Sequence, residues 1–158
     1  GIDGVTIIDD TYNSSPAAAQ AAIRTLYNFA DVPSRIAVLG DMRELGGSSQ
    51  AEHEKLGRMC DPNLLSWVVV VGVAATQYLA PAARSMGCQV HVARNAIEAG
   101  EFVRSVTEPG TVVLVKGSQN EIFLEECVKV LCDMTEDVEL VRQGEKWLTI
   151  KDRYFQRF

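Results

Sequence analysis

The sequence contains no cluster of lysine and arginine, no membrane-length apolar run and no paired-cysteine motif, and each absence removes a class of function. Fifteen basic residues stand against 21 acidic ones, for a net charge of −6. A chain without a basic patch lacks the charge that neutralises phosphate backbones or anionic lipid surfaces, so nucleic acid and membrane insertion are set aside. The longest apolar stretch, WVVVVGVAA from Trp67, is about half of the ~20 residues a bilayer span requires. No basic segment followed by a hydrophobic core opens the chain, so the expectation is a soluble, cytoplasmic protein. Cys60, Cys88, Cys127 and Cys132 show no CxxC spacing, and the two histidines lie far apart. Neither a zinc site nor a disulfide framework is signalled, and the cysteines read as reduced core thiols. The chain also lacks a GxxxxGK[ST] phosphate loop, a GxGxxG turn and a nucleophile elbow.

What is present is a chain of 158 residues, 47% hydrophobic, enough for one well-cored domain. Its first residue is glycine, directly ahead of a strand pattern, which suggests a piece of a longer polypeptide. No linker or repeat divides it.

Five times a β-branched apolar run passes through Gly or polar residues into a helical pattern, which is the signature of an α/β fold with a parallel sheet. GVTII leads to a helix opening at Ser15 with Pro16 in its first turn, and Ala19, Ala22, Ile23, Leu26 and Ala30 fall on one face. RIAVLG precedes a helix that Ser49 and Glu52 are spaced to cap reciprocally. SWVVVVG is followed by a helical segment that Pro81 should kink or divide. CQVHVA precedes a helix capped by Asn95 and Glu98, with Ile97, Phe102, Val103 and Val106 apolar. TVVLVKG comes last, with Ser118 and Glu121 at capping spacing before Ile122, Phe123, Cys127, Val130 and Leu131. After residue 135 the pattern changes. VELV suits one more edge strand, and Trp147, Ile150, Tyr154 and Phe158 recur at helical spacing. The expected core is about residues 3–135, with a C-terminal strand and helix over about 136–158.

In an open parallel sheet ligands bind beyond the carboxyl ends of the strands. The polar residues there are Asp9 and Asp10, then Gly40 and Asp41, Gly72, and finally Lys116, Gly117 and Ser118. DDTYNSSP has two readings: a well-made turn into a helix, or a site in which Asp10 accepts from a ribose hydroxyl pair and Asn13 reads a base edge. VLVKGSQNE places a lysine at the end of a buried strand before a helix start, which suits a carboxylate or phosphate. The alternative is that Lys116 neutralises Asp9 or Asp10 across the sheet. In GDMRELGGSSQAEH, Asp41, Glu44 and His53 read either as solvated or structural residues or as cleft-facing ones. His91 lies within a strand and reads as structural.

IIDDTYNSSP, IAVLGDMRELG with a downstream His53, VVVVG, and VVLVKGSQNEIFLEE occur in the order found in the C-terminal domain of Mur ligases, and the chain resembles that family over about residues 3–133. The resemblance implies a Rossmann-like three-layer domain with a mainly parallel six-stranded sheet and one antiparallel edge strand. It implies the last domain of a monomeric peptidoglycan-precursor ligase, in which N-terminal and central ATPase domains precede it. The branch it approaches joins D-alanyl-D-alanine to UDP-N-acetylmuramoyl-tripeptide, using ATP and Mg²⁺ to form an acyl phosphate. Those cofactors would be held mostly by the central domain, so this domain alone would be inactive. By position, Asp10 and Asn13 resemble the nucleotide-binding residues. Lys116, Gly117, Ser118 and Gln119 fall where the family closes on its amine substrate. Asp9, Tyr12, Asp41, Glu44 and His53 would face the cleft. Ser15 stands where the family has a second Asn and Gln119 where it has Arg, which removes a bidentate partner for a carboxylate. The competing function is a free-standing nucleotide or amino-acid binding module without catalysis. A third is an interaction domain docking through its aromatic tail.

Overall fold

The computed structural model describes residues 4–12, 14–117 and 122–132. The strands are β1 (Thr6–Asp10), β2 (Arg35–Gly40), β3 (Trp67–Val71), β4 (Val90–Ala93) and β5 (Val112–Lys116). The helices are α1 (Pro16–Tyr27), α2 (Ser49–Met59), α3 (Ala80–Ser85), α4 (Ala96–Val106) and α5 (Glu125–Leu131). All strand pairs are parallel, in the order β1-β5-β2-β3-β4. The five-stranded parallel α/β sheet expected from the alternating pattern is therefore present. The additional edge strand and the aromatic C-terminal helix expected beyond residue 135 lie outside the described residues.

The strands are apolar almost throughout because both faces are covered. On one face Ile23, Leu26, Leu56 and Leu79 pack against Leu39, Val68, Val70 and Leu114. On the other Val103, Cys127 and Leu131 pack against Val38, Val69, Val71, Val113 and Val115. Helices α1, α2 and α3 thus form one layer, and α4 and α5 the other. Handedness accounts for the division. The chain steps outward from β1 to β4 with its helices on one face, then returns through α4 to β5, and a right-handed crossover in the reverse direction must use the opposite face. Consequently the segment after β1 enters α1 on one face, while its neighbour β5 leads toward α5 on the other. The two connections diverge and open a crevice at their carboxyl ends.

Local signals are met unevenly. Ser15 caps α1 by accepting from the Ala18 amide at 3.1 Å, and Asn95 caps α4 by accepting from Glu98 N–H at 2.9 Å. Ala30 follows the end of α1 and is exposed rather than on its buried face. The expected Ser49–Glu52 capping box does not form. A 3₁₀ turn over Gly46–Ser48 runs straight into α2 with Ser48 and Ser49 already helical, so neither has the extended backbone a cap needs. Ser49 Oγ instead lies 3.3 Å from His53 Nδ1. Pro81 does divide its segment: a π turn over Ala75–Leu79 gives way to α3, the wider turn preceding the residue that cannot donate a backbone hydrogen bond. On α4 the fully buried positions are Ala96, Ala99, Gly100 and Val103, whereas Ile97 is exposed. Ile122 and Phe123 are buried but precede α5 rather than belonging to it.

Candidate functional site

The carboxyl ends of β1 and β5 meet at the crevice. Asp10 and Lys116 are register partners, and Lys116 Nζ lies 3.0 Å from Asp10 Oδ2. The pair is asymmetric, since the lysine side chain is 3% exposed and the aspartate 47%. Apolar strands on both sides bury the lysine stem and deliver its ammonium to the rim, where Asp10 neutralises it while presenting its remaining edge to solvent. Of the two readings of Lys116, neutralisation across the sheet is the contact made. Asp9 points the other way along the pleat, is exposed, and accepts from Thr11 Oγ at 2.8 Å. Tyr12 is 56% exposed beside it. Gly117 follows Lys116 directly. Asn13, Ser118 and Gln119 lie outside the described residues.

The end of β2 is built differently. Asp41 is 7% exposed, and its Oδ1 accepts from the Ala75 amide at 2.7 Å, capping the helical segment after β3. Gly72 makes this approach possible: its φ is +113°, and a Cβ there would come 2.5 Å from the Asp41 carboxylate. His53 is fully buried in α2. Its Nε2 accepts from the Met42 amide at 3.0 Å, and its Nδ1 lies 2.7 Å from the Ser49 carbonyl. Because a backbone N–H can only donate, Nε2 is the acceptor and Nδ1 carries the proton toward Ser49 O. His53 therefore does not face the cleft. It clamps the loop after β2 from beneath. Glu44 on that loop is exposed, with φ of +61°.

Beyond Asp41 a cleft of about 440 Å³ opens over the ends of β2, β3 and β4. Val73, Val92, Ala93 and Ile122 give it an apolar wall, Thr76 and Gln77 add polar edges, and Arg43 and Arg94 stand at its margin. Arg94 Nε donates to Glu98 Oε2 at 2.5 Å. That hydrogen bond pushes the Arg94 guanidinium up and holds the Glu98 carboxyl below its usual range. The strand-end reading did not include Arg94, because β4 is short and its end was not counted among the polar rim positions. The RN pair after VHVA and the 73% exposure of Val73 mark this part of the rim.

His91 of β4 stacks on Phe102 with ring centroids 3.8 Å apart, and Trp67 meets the same ring edge-on at 4.9 Å, consistent with a packing role. Cys60, Cys88 and Cys127 are buried free thiols and Cys132 is partly buried. Burial pushes the Cys60 thiol up to about 12, and raises Cys127 still further, with Asp9 adding to it. Among the described residues no group of three or more His, Cys, Asp or Glu gathers as metal ligands. None of their helices is long and apolar enough to cross a membrane.

Comparison with known proteins agrees with this architecture. Residues 1–119 match the family described as Mur ligase, glutamate ligase domain. The UDP-N-acetylmuramoyl-tripeptide--D-alanyl-D-alanine ligase of Mycobacterium tuberculosis is 35% identical over 135 residues, covering 73% of this chain and 26% of that protein. The crystal structure of MurF ligase from Thermotoga maritima in complex with ADP superposes with a TM-score of 0.63 at 29% identity, covering 81% of this chain and 28% of that one. MurF from Acinetobacter baumannii gives 0.68 at 27% identity, over 83% and 29%. The chain thus spans about a quarter of the length of these relatives. With over two thirds of its residues in the family match, the chain belongs to the Mur ligase family, in its glutamate ligase domain.

Proposed function

We propose that this chain is the C-terminal, substrate-closing domain of an ATP-dependent ligase that adds D-alanyl-D-alanine to UDP-N-acetylmuramoyl-tripeptide. The observation that carries the reading is the Asp10–Lys116 pair at the divergence of β1 and β5, in a chain similar to D-alanyl-D-alanine ligases over most of its length. Asp10 fits a nucleotide: its carboxylate is half open to solvent and fixed on its inner side by the buried ammonium, so the outer edge is oriented to accept from a ribose hydroxyl pair. Asn13, three residues on in sequence, is assigned to the base. When bound, ATP with Mg²⁺ supplies the phosphoryl group that activates the tripeptide carboxylate as an acyl phosphate. Most contacts to both are assigned to the remainder of the ligase.

The domain contributes position and exclusion of water. Lys116 sets the orientation of Asp10, and Gly117, Ser118 and Gln119, which follow it in sequence, are assigned to the amine substrate. Asp41 and His53 act beneath the surface, holding the β2 and β3 loops in place. The test uses the full-length protein that contains this chain. Asp10→Ala is expected to raise the KM for ATP several-fold while leaving the KM for the dipeptide near its original value. Lys116→Ala is expected to disturb both, because the lysine reaches the ligands through Asp10. Unchanged ATP kinetics in both variants would overturn the nucleotide assignment. ATP binding without peptide-bond formation would instead identify a binding module.

A further inference from the structure

We infer that the cavity at the amino ends of β2, β3 and β4 is a receptor for a phosphate monoester with a small polar body, anchored by Arg35. It lies on the sheet edge opposite Asp10 and Lys116, and the inference goes beyond the ligase reading without depending on it. The cavity measures about 400 Å³, within the ordinary range of small-molecule sites. Its walls are the segments that lead into three strands: residues 32–35 at β2, 62–66 before β3, and Gly87 with Gln89 before β4. Side-chain donors are concentrated there. Arg35, Asn63, Ser66 and Gln89 line the space, and none of the lining residues is acidic. Ser34 Oγ donates to Ser66 Oγ at 2.7 Å, which leaves the Ser66 hydroxyl proton available to a ligand.

Arg35 carries the argument for an anion. Its Nη2 donates to the Phe29 carbonyl, whereas its Nε is buried without a hydrogen-bond partner. Among the described residues it forms no ion pair. A partly buried guanidinium without a counter-ion leaves its desolvation uncompensated, and an oxyanion would supply the missing partner. The surrounding field does not decide the sign. Helices α1, α2 and α3 finish at this edge, and a helix carboxyl end carries about half a negative charge, but each has an arginine in its last turn: Arg24, Arg58 and Arg84. Two acids flank the cavity without lining it. Asp31 is exposed, and Asp61 turns its carboxylate onto the Asn63 amide at 2.8 Å. The choice therefore falls to the lining, where Arg35 is the only charged side chain. Inorganic phosphate, a few water volumes in size at ~30 Å³ each, would leave most of the cavity empty. The exposed Asn63 and Gln89 carry amides suited to hydroxyl groups on an attached body.

The experiment is a titration of the 158-residue chain with glucose 6-phosphate, followed by backbone amide chemical shifts, with inorganic phosphate and glucose as matched probes at constant ionic strength. Saturable shifts are expected at Ser34, Arg35, Ser66 and Gln89 with the ester, weaker ones with phosphate and none with glucose. Arg35→Gln is expected to weaken binding about tenfold, the loss of a charge-assisted hydrogen bond. Gln89→Glu sets a like charge beside the ligand and should weaken binding several-fold; its site is exposed, so this variant carries the test if Arg35→Gln does not fold. Equal shifts with glucose, shifts confined to Asp10 and Gly117, no saturation at tens of millimolar, or unchanged binding in Gln89→Glu would each overturn the assignment. An Arg35→Gln chain that is less stable yet binds the ester as before would also overturn it, reducing Arg35 to a helix-end contact. The ligase reading is judged separately, by peptide-bond formation in the full-length protein.

Discussion

Two aspartates end neighbouring parts of the same rim and behave in opposite ways. Asp10, the last residue of β1, is half exposed and bound to a buried lysine. Asp41, after β2, is buried and bound to a backbone amide. Both belong to stretches that resemble family motifs, yet only one offers an oxygen to solvent in the manner of a ligand contact. A carboxylate's task at a strand end is set by what its neighbours leave unsatisfied. At β1 this is a side-chain charge, and at β2 it is the amide of an incoming helix.

That contrast can be broken most forcefully at the β2 end. His53→Ala removes a fully buried ring with two backbone contacts and should cost about 3–4 kcal/mol of unfolding free energy. Chemical denaturation of the isolated chain would measure it, and a loss below about 1 kcal/mol would return His53 to the candidates for ligand binding. Gly72→Ala forces a Cβ into the Asp41 carboxylate at a positive φ and is expected to cost about 3 kcal/mol. Combining it with Asp41→Gly should recover part of that loss if the clash is its origin. Asp10→Asn is milder, about 1–2 kcal/mol, below the 3–5 of a fully buried pair because water reaches the aspartate side. Its main effect should be on nucleotide affinity, read by calorimetry on the full-length protein.

Smaller effects sharpen the comparison between signals that are met and those that are not. Ser15→Ala should cost about 1 kcal/mol as a lost cap, whereas Glu52→Ala should show no lost-cap penalty, since the box it was spaced for does not form. The buried thiols give a pH dependence. Cys60 keeps its proton more tightly in the fold than in the unfolded chain, so its contribution is complete below about 8.5 and declines as pH rises toward 12. Alkaline unfolding should shift to higher pH in Cys60→Ala relative to that variant's stability at pH 7.

The fold is legible in the sequence because β-branched runs and capped helices repeat five times, and each signal is local. Asp10 and Lys116 could be placed on one rim for the same reason: each ends a strand, and a parallel sheet brings strand ends together. Their direct pairing stood as one of two readings of Lys116, and the sequence could not choose between them or between Asp9 and Asp10, because that choice depends on β5 inserting beside β1 rather than beside β4. The interior role of His53 was likewise one of two open readings, since helical spacing alone does not say whether a histidine turns toward solvent or back toward the loop that precedes it. Arg94 was overlooked for want of a long strand ahead of it.

The strand order has a consequence for how the molecule is made. Within this sheet, β1 has as its neighbour the last described strand, residues 112–116, so nearly the whole core must be synthesised before the crevice between them can form. Until then the nascent strand carries Asp10 without its lysine and an apolar edge without a pairing partner. A translation pause or premature stop upstream of residue 112 therefore leaves β1 without its pairing strand, an apolar edge for chaperones to shield.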